Sequence, residues 1–173
     1  FDSDDLSALK TGSMRVQVTE LAQKDVWQSD LITDKNKTDT VNAGIITING
    51  KDIDTNGKSY SDVVKEINKI DGVQASLVEN SAGEFRLSIK STETGAANKI
   101  NFNTKDISGN DLGVSVGAAK LFGDGSILND DLNVLKAQDM ELTADGVNYS
   151  SSSNTVTIDG LKITATKETG DST

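Results

Sequence analysis

Apolar and polar positions along the chain change period several times, and the changes mark out elements. Met14, Val16 and Val18 alternate with Arg15 and Gln17 in MRVQVTELA, the period-two pattern of a half-buried strand. GIITINGKDID places apolar residues on both sides of Asn49-Gly50. That dipeptide suits a type I′ turn, whose two central residues take positive φ, so a hairpin is predicted over Ile45–Ile48 and Lys51–Ile53. The period then becomes helical. Tyr60, Val63, Val64, Ile67 and Ile70 fall at i, i+3, i+4, i+7 and i+10, which predicts one buried face of a helix of about three turns. Ser59 is placed as its N-cap with Asp62 three residues on, and Asp71-Gly72 ends it.

Two further strands are predicted, Val73–Val78 and Phe85–Lys90, joined by the polar ENSAGE. STETGAANKINF then reads as a polar loop with a short strand ending near Phe102. From Asn103 to Leu135 repeated glycines blur the pattern, leaving only a weak strand at Leu112–Val116. Order returns in ELTADGVNYS, a hairpin about Asp145-Gly146, and in TVTIDGLKITAT, a hairpin about Asp159-Gly160 with Val156 and Ile158 opposite Leu161 and Ile163. DDLSALKTGS, Asp4 to Ser13, has weak helical character, and QKDVWQSDLITDKNKTDTVNA is polar and irregular. The fold class expected is α+β and mostly β: two small β-rich domains, one carrying a sheet with a single packed helix at about residues 60–70.

Composition narrows the chemistry. Aromatic residues are only 4% of the 173, so the cores must be small and aliphatic. The net charge is −10 and no basic patch exists, which argues against nucleic acid as a partner. No Cys and no His are present. Disulfides, thiolate sites, imidazole ligands and Ser-His arrangements are therefore excluded. No apolar run is long enough to span a membrane. The chain opens at Phe1 without an initiating Met or an apolar leader, which suggests a segment of a longer protein.

Several constellations are candidate sites. DIDTNGKSYSDV sets Asp52, Asp54, Asn56 and Gly57 where a calcium loop has its first, third, fifth and sixth positions. Its twelfth position is Val63 rather than an acid, the eighth is Ser59, and a strand rather than a helix precedes it, so a turn leading into a helix cap is the better reading. GDGS (123–126) and NDD (129–131) bunch acidic oxygens, as isolated clusters do in an acidic chain. Glu79 and Glu84 flank a hairpin turn without a cleft. GAAKLFGDGS lacks the Gly-Lys-Ser/Thr ending of a phosphate loop. Trp27 reads as a core anchor or as a platform for a sugar, and Tyr60 as core. No nucleophile with a matched base is found. Catalytic, metal and cofactor-binding residues are expected to be none, with partner-binding residues unassigned.

GIITINGKDID, GKSYSDVVKEIN, GVQASLV and GEFRLSIKSTETGAANKI, taken together over Gly44–Phe102, resemble the module of flagellar axial proteins named for its Ile-Asn pair, here Ile67-Asn68. The flanks RVQVTELAQKDVWQS and AQDMELTADGVNYSSSSNTVTIDGLKITATK are similar to the flagellar filament cap family, hook-associated protein 2. The resemblance covers most of the chain apart from the Gly-rich span. It implies a discontinuous β-rich domain of residues 1–43 and 134–173, into which an α+β domain of residues 44–133 is inserted. It further implies the head of the cap at the distal tip of a bacterial flagellum, extracellular, promoting flagellin assembly and preventing subunit leakage. The implied partners are further copies of itself in a ring formed by the full-length protein, flagellin, and an export chaperone bound through other regions. The segment alone is compatible with a monomer. A Cys-free, Pro-free chain also suits export in an unfolded state. The alternatives are a surface-exposed adhesion module binding host glycans, for which Trp27 and the polar loops are the hints, and the outer domain of a flagellin.

Overall fold

A computed structural model describes residues 14–33 and 40–169, together with the backbone of Asp2–Ser3. The helical tendency expected over Asp4–Ser13 lies outside the described residues. In chain order the elements are β1 (Asp2–Ser3), β2 (Val16–Glu20), β3 (Val26–Gln28), β4 (Ile45–Ile48), β5 (Lys51–Asp54), α1 (Tyr60–Ile67), β6 (Val73–Glu79) and β7 (Phe85–Ser91). They continue with β8 (Asn103–Lys105), β9 (Asp111–Val114), α2 (Val116–Leu121), β10 (Asn133–Leu135), β11 (Met140–Ala144), β12 (Val147–Ser151), β13 (Thr155–Ile158) and β14 (Leu161–Thr164). The α+β, mostly β class is thus as expected. Among the described residues no helix is long and apolar enough to cross a membrane.

Contacts divide the chain into two units. One comprises Phe1–Lys24, Glu93–Lys99 and Ala137–Thr173, and the other Asp25–Thr92 and Ile100–Lys136. These divisions differ from the expected boundaries at residues 43/44 and 133/134. Residues 25–43 belong to the second unit because β3 pairs with β7 and Ala43 N–H donates to Thr55 Oγ1 at 2.9 Å. Val134 and Leu135 join it through the pairing of β10 with β3. Residues 93–99 belong to the first unit, where Gly95 N–H reaches Gln23 O and Ala96 N–H reaches Asp139 Oδ1.

The first unit holds two three-stranded sheets, β12-β11-β2 and β1-β14-β13. Both DG hairpins form as predicted, with Asp145 and Asp159 at φ near 50°. Val156 faces Ile163 and Ile158 faces Leu161. Its core is aliphatic: Val18, Met140, Leu142, Ile158, Leu161 and Ile163 are all buried.

The second unit is built on an antiparallel sheet ordered β10-β3-β7-β6. The β4–β5 hairpin turns at Asn49-Gly50 (φ 50° and 81°), the I′ geometry expected. Ser59 Oγ accepts from Asp62 N–H at 3.1 Å and caps α1. Val63 and Ile67 of α1 are wholly buried. The helix is two turns rather than three. After Ile67 the backbone tightens, with Lys69 N–H bonding Glu66 O and Ile70 N–H bonding Ile67 O.

Three expectations fail here. The irregular stretch around Trp27 supplies β3, an interior strand of the sheet, whose polar flanks are matched by distant partners. The strand expected to end near Phe102 instead begins at Asn103. The span after Val114 turns into a second helix, α2. Gly117 hid it, because glycine disfavours helices by about 1 kcal/mol relative to Ala. Yet α2 lies so close to β4 that a Cβ at 117 would sit 2.7 Å from Ile45 O and 2.8 Å from Ile46 N. Ser115, ahead of this helix, does not cap it; its Oγ accepts from Thr47 N–H at 3.0 Å.

Gly117→Ala should therefore destabilise by about 1–3 kcal/mol through overpacking, reversing the sign of its helix propensity. Urea unfolding checks this: a lower midpoint is expected, and a raised one would reject the close-approach account.

Candidate functional site: polar side chains at turns and chain entries

The candidate constellations resolve into local structure. Asp52 Oδ1 accepts the Thr47 hydroxyl at 2.8 Å, across the β4–β5 hairpin. Asp54 Oδ1 accepts Asn56 N–H, and Asn56 Oδ1 accepts Gly44 N–H at 3.3 Å. These oxygens fix a turn and Gly57 follows with φ 74°, so the segment works as a strand end, turn and helix cap. Glu84 Oε1 accepts from Asn80 Nδ2 within the β6–β7 turn. GDGS and NDD do come together: Asp124 and Asp130 line one shallow hollow of about 490 Å³ with Asp30. Among the described residues, however, no group of three or more carboxylates is arranged to hold a metal ion. Asp124 Oδ1 instead accepts Ser126 and Ile127 N–H, and Asp130 pairs with Lys136 at 3.3 Å.

Trp27 is 3% exposed and lies edge-on to Phe102 and Phe122, with centroids 5.5 and 6.1 Å away. It is a core anchor, and a sugar could not stack on it in the folded protein. Tyr60 meets Phe85 edge-to-face at 5.3 Å. Both residues serve packing.

The most constrained polar group was not singled out in the sequence. Asp25, 1% exposed, is the first residue of the second unit. Its Oδ2 accepts Ile100 N–H at 2.7 Å and its Oδ1 accepts Asn133 Nδ2 at 2.9 Å. Its N–H donates to Ser91 Oγ and its C=O accepts Ser91 N–H. The same Asn133 amide also donates to Val26 O and Leu135 O. Each partner lies close to a point where the chain enters or leaves this unit, at residues 25, 92, 100 and 136. No local pattern in the sequence flags a contact between residues 108 positions apart.

Exposed turn carboxylates show the same use of Asx chemistry. Asp106 is held below the usual carboxylate range by Asn110, through backbone and then side-chain hydrogen bonds. Asp111 is lowered first by the Asn103 side chain and then by Gly113 N–H. Asp124 is lowered by the N–H groups of Ile127 and Ser126.

The arrangement is that of an architectural β-rich module, with its polar side chains engaged in holding backbone. No family model matches the chain. It is 30% identical over 195 aligned positions to the flagellar hook-associated protein 2 of Campylobacter jejuni, covering 92% of this chain and 30% of that protein. It is 25% identical to the flagellar cap protein FliD of Escherichia coli in a crystal structure of its D1-D2-D3 domains, with TM-score 0.68, covering 92% of this chain and 46% of that one. The D2-D3 domains of FliD from Serratia marcescens share the fold at TM-score 0.71 and 20% identity, covering 97% and 92%. Along 92% of its length the chain is thus similar to flagellar cap proteins, FliD or hook-associated protein 2. It spans about 30% of the length of the curated relative it matches.

Asp25→Ala should cost about 2–4 kcal/mol, since it strands the buried Ile100 N–H and removes the Asn133 bond. Guanidinium unfolding followed by Trp27 fluorescence checks this, and a change under 0.5 kcal/mol would reject it. For Asp106, Asp111 and Asp124 the folded pKa lies below the unfolded one. Their contribution is complete above the unfolded value, about 4, and is lost as pH falls through the folded value. Side-chain carboxyl NMR should show all three titrating at lower pH in the folded than in the urea-unfolded chain. Coincident titration would remove the turn hydrogen bonds as the cause.

Proposed function

We propose that this chain is part of the head of the filament cap at the distal tip of a bacterial flagellum, where the cap promotes flagellin assembly and prevents subunit leakage. The observation that carries the reading is the likeness to a hook-associated protein 2 along 92% of the chain. The work is steric and mechanical rather than covalent. The head covers a space in which exported flagellin folds, and its shape is the active part. The relevant partners are further copies of the full-length protein in a ring, flagellin itself, and an export chaperone engaged through other regions. The location is extracellular. The adhesion alternative loses its aromatic hint, because Trp27 is enclosed in the core.

Deleting the parent gene should abolish filaments and release flagellin monomers into the medium, and full-length protein supplied in trans should restore filaments. Normal filaments after deletion would overturn the reading. Epitope label on this chain along the whole filament, rather than at one end, would point to a flagellin instead.

A further inference from the structure

β6 is an edge strand of the β10-β3-β7-β6 sheet. In an antiparallel pair, alternate residues turn both N–H and C=O away from the neighbour. Val73, Ala75, Leu77 and, at the strand's end, Glu79 form that outward set on β6. Their partners on β7 show it: Leu87, opposite Leu77, turns its N–H toward Ser29 Oγ and its C=O toward Ser29 N–H.

At Ala75 the outward pair is occupied. Its N–H donates to Asn68 Oδ1 at 2.7 Å, and its C=O accepts Asn68 Nδ2 at 3.1 Å. One primary amide makes both bonds that another strand would make. Asn68 is the C-cap of α1, directly after Ile67, which is wholly buried and fixes the position. Asp would offer no donor here.

The strand has little other protection. Natural edges are blunted by Lys, Pro, inward charges or bulges. VQASLV, residues 73–78, contains no charge and no Pro in a chain of net charge −10, the one charge on β6 is Glu79 at its end, and β6 pairs with β7 over seven residues without a bulge. Val78 is exposed, and an open hollow of about 490 Å³ lined by Asn68, Gln74, Ala75, Ser76 and Lys90 adjoins the edge. Laid antiparallel on a second copy and centred on Ala75, the strand sets Val73 opposite Leu77 and Gln74 opposite Ser76. Over Val73–Leu77 every outward group then meets a complementary one and no like charges meet; Glu79 falls opposite Asp71 only beyond that span.

We propose that Asn68 is an edge guard: its side-chain amide shuts a self-complementary strand-pairing surface on β6, which otherwise accepts β6 of a second copy of this chain. The Ile-Asn pair then has two distinct tasks, with Ile67 anchoring the helix in the core and Asn68 closing the sheet. This inference does not depend on the cap reading.

In the 173-residue chain, Asn68→Ala should retain its fold, read by the Trp27 near-ultraviolet signal. It should associate at least tenfold more tightly than the parent in sedimentation equilibrium. Adding Gln74→Lys and Ser76→Lys sets like charges directly opposite in the paired strands and should return the variant to the parent's behaviour. A folded variant no more associated than the parent, or association that survives the two lysines, would overturn the proposal. Hydrogen exchange on the parent chain provides a measurement independent of any variant's folding. The Ala75 amide should exchange at least tenfold more slowly than the equally outward Leu77 amide, and equal rates would also overturn it.

Discussion

The buried carboxylate of Asp25 is the constraint on which the second unit depends. A polar group this enclosed is tolerated only when its lone pairs are met by donors. Here an N–H of Ile100 and the amide of Asn133 meet them, while the Asp25 backbone exchanges two bonds with Ser91. The unit is made from two separate stretches of chain, so several strands of polypeptide must converge where it is entered and left. Hydrophobic burial cannot order such a place by itself, because it is non-directional. Directed hydrogen bonds to one fixed side chain can.

The same economy recurs across the molecule. With no Cys, no His and few aromatics, the chain relies on Asp, Asn, Ser and Thr to hold backbone. Asn154 brackets Ala22 through both its amide atoms, Asn49 receives Asn101 N–H, and Asn68 receives Ala75. Short polar side chains reach only neighbouring backbone, so each bond is local in space even when it is distant in sequence. The first unit's core is aliphatic as expected, whereas the second gathers Trp27, Phe102 and Phe122 among its aliphatic residues, so the few aromatics are concentrated in one core rather than spread thinly.

Local punctuation made the hairpins legible. Asn49-Gly50, Asp145-Gly146 and Asp159-Gly160 each demand positive φ at two successive residues, and each delivers an I′ hairpin in the expected register. Ser59 was readable as a cap for the same reason: its bond to Asp62 N–H spans three residues. Trp27 was harder. Asp25 and Ser29, which flank β3, are polar because they bond groups distant in sequence, so β3 has no periodicity of its own. α2 was hidden by Gly117, whose presence answers to the backbone of β4 rather than to the helix. Among the candidate site residues, the turn roles of Asp52, Asp54 and Asn56 were legible, whereas Asp25 and Asn133 were not.

The sequence alone determined the mostly β class, the hairpin turns, the capped amphipathic helix and the absence of imidazole and thiol chemistry. These rest on φ preferences, on side-chain period and on residue type, all properties of a few adjacent residues. Tertiary structure decided where the units divide, that β3 runs inside a sheet, that residues 93–99 leave one unit for the other, and that Asn68 closes an edge. Those depend on which distant backbone groups come within about 3 Å of one another, and no local pattern encodes that distance.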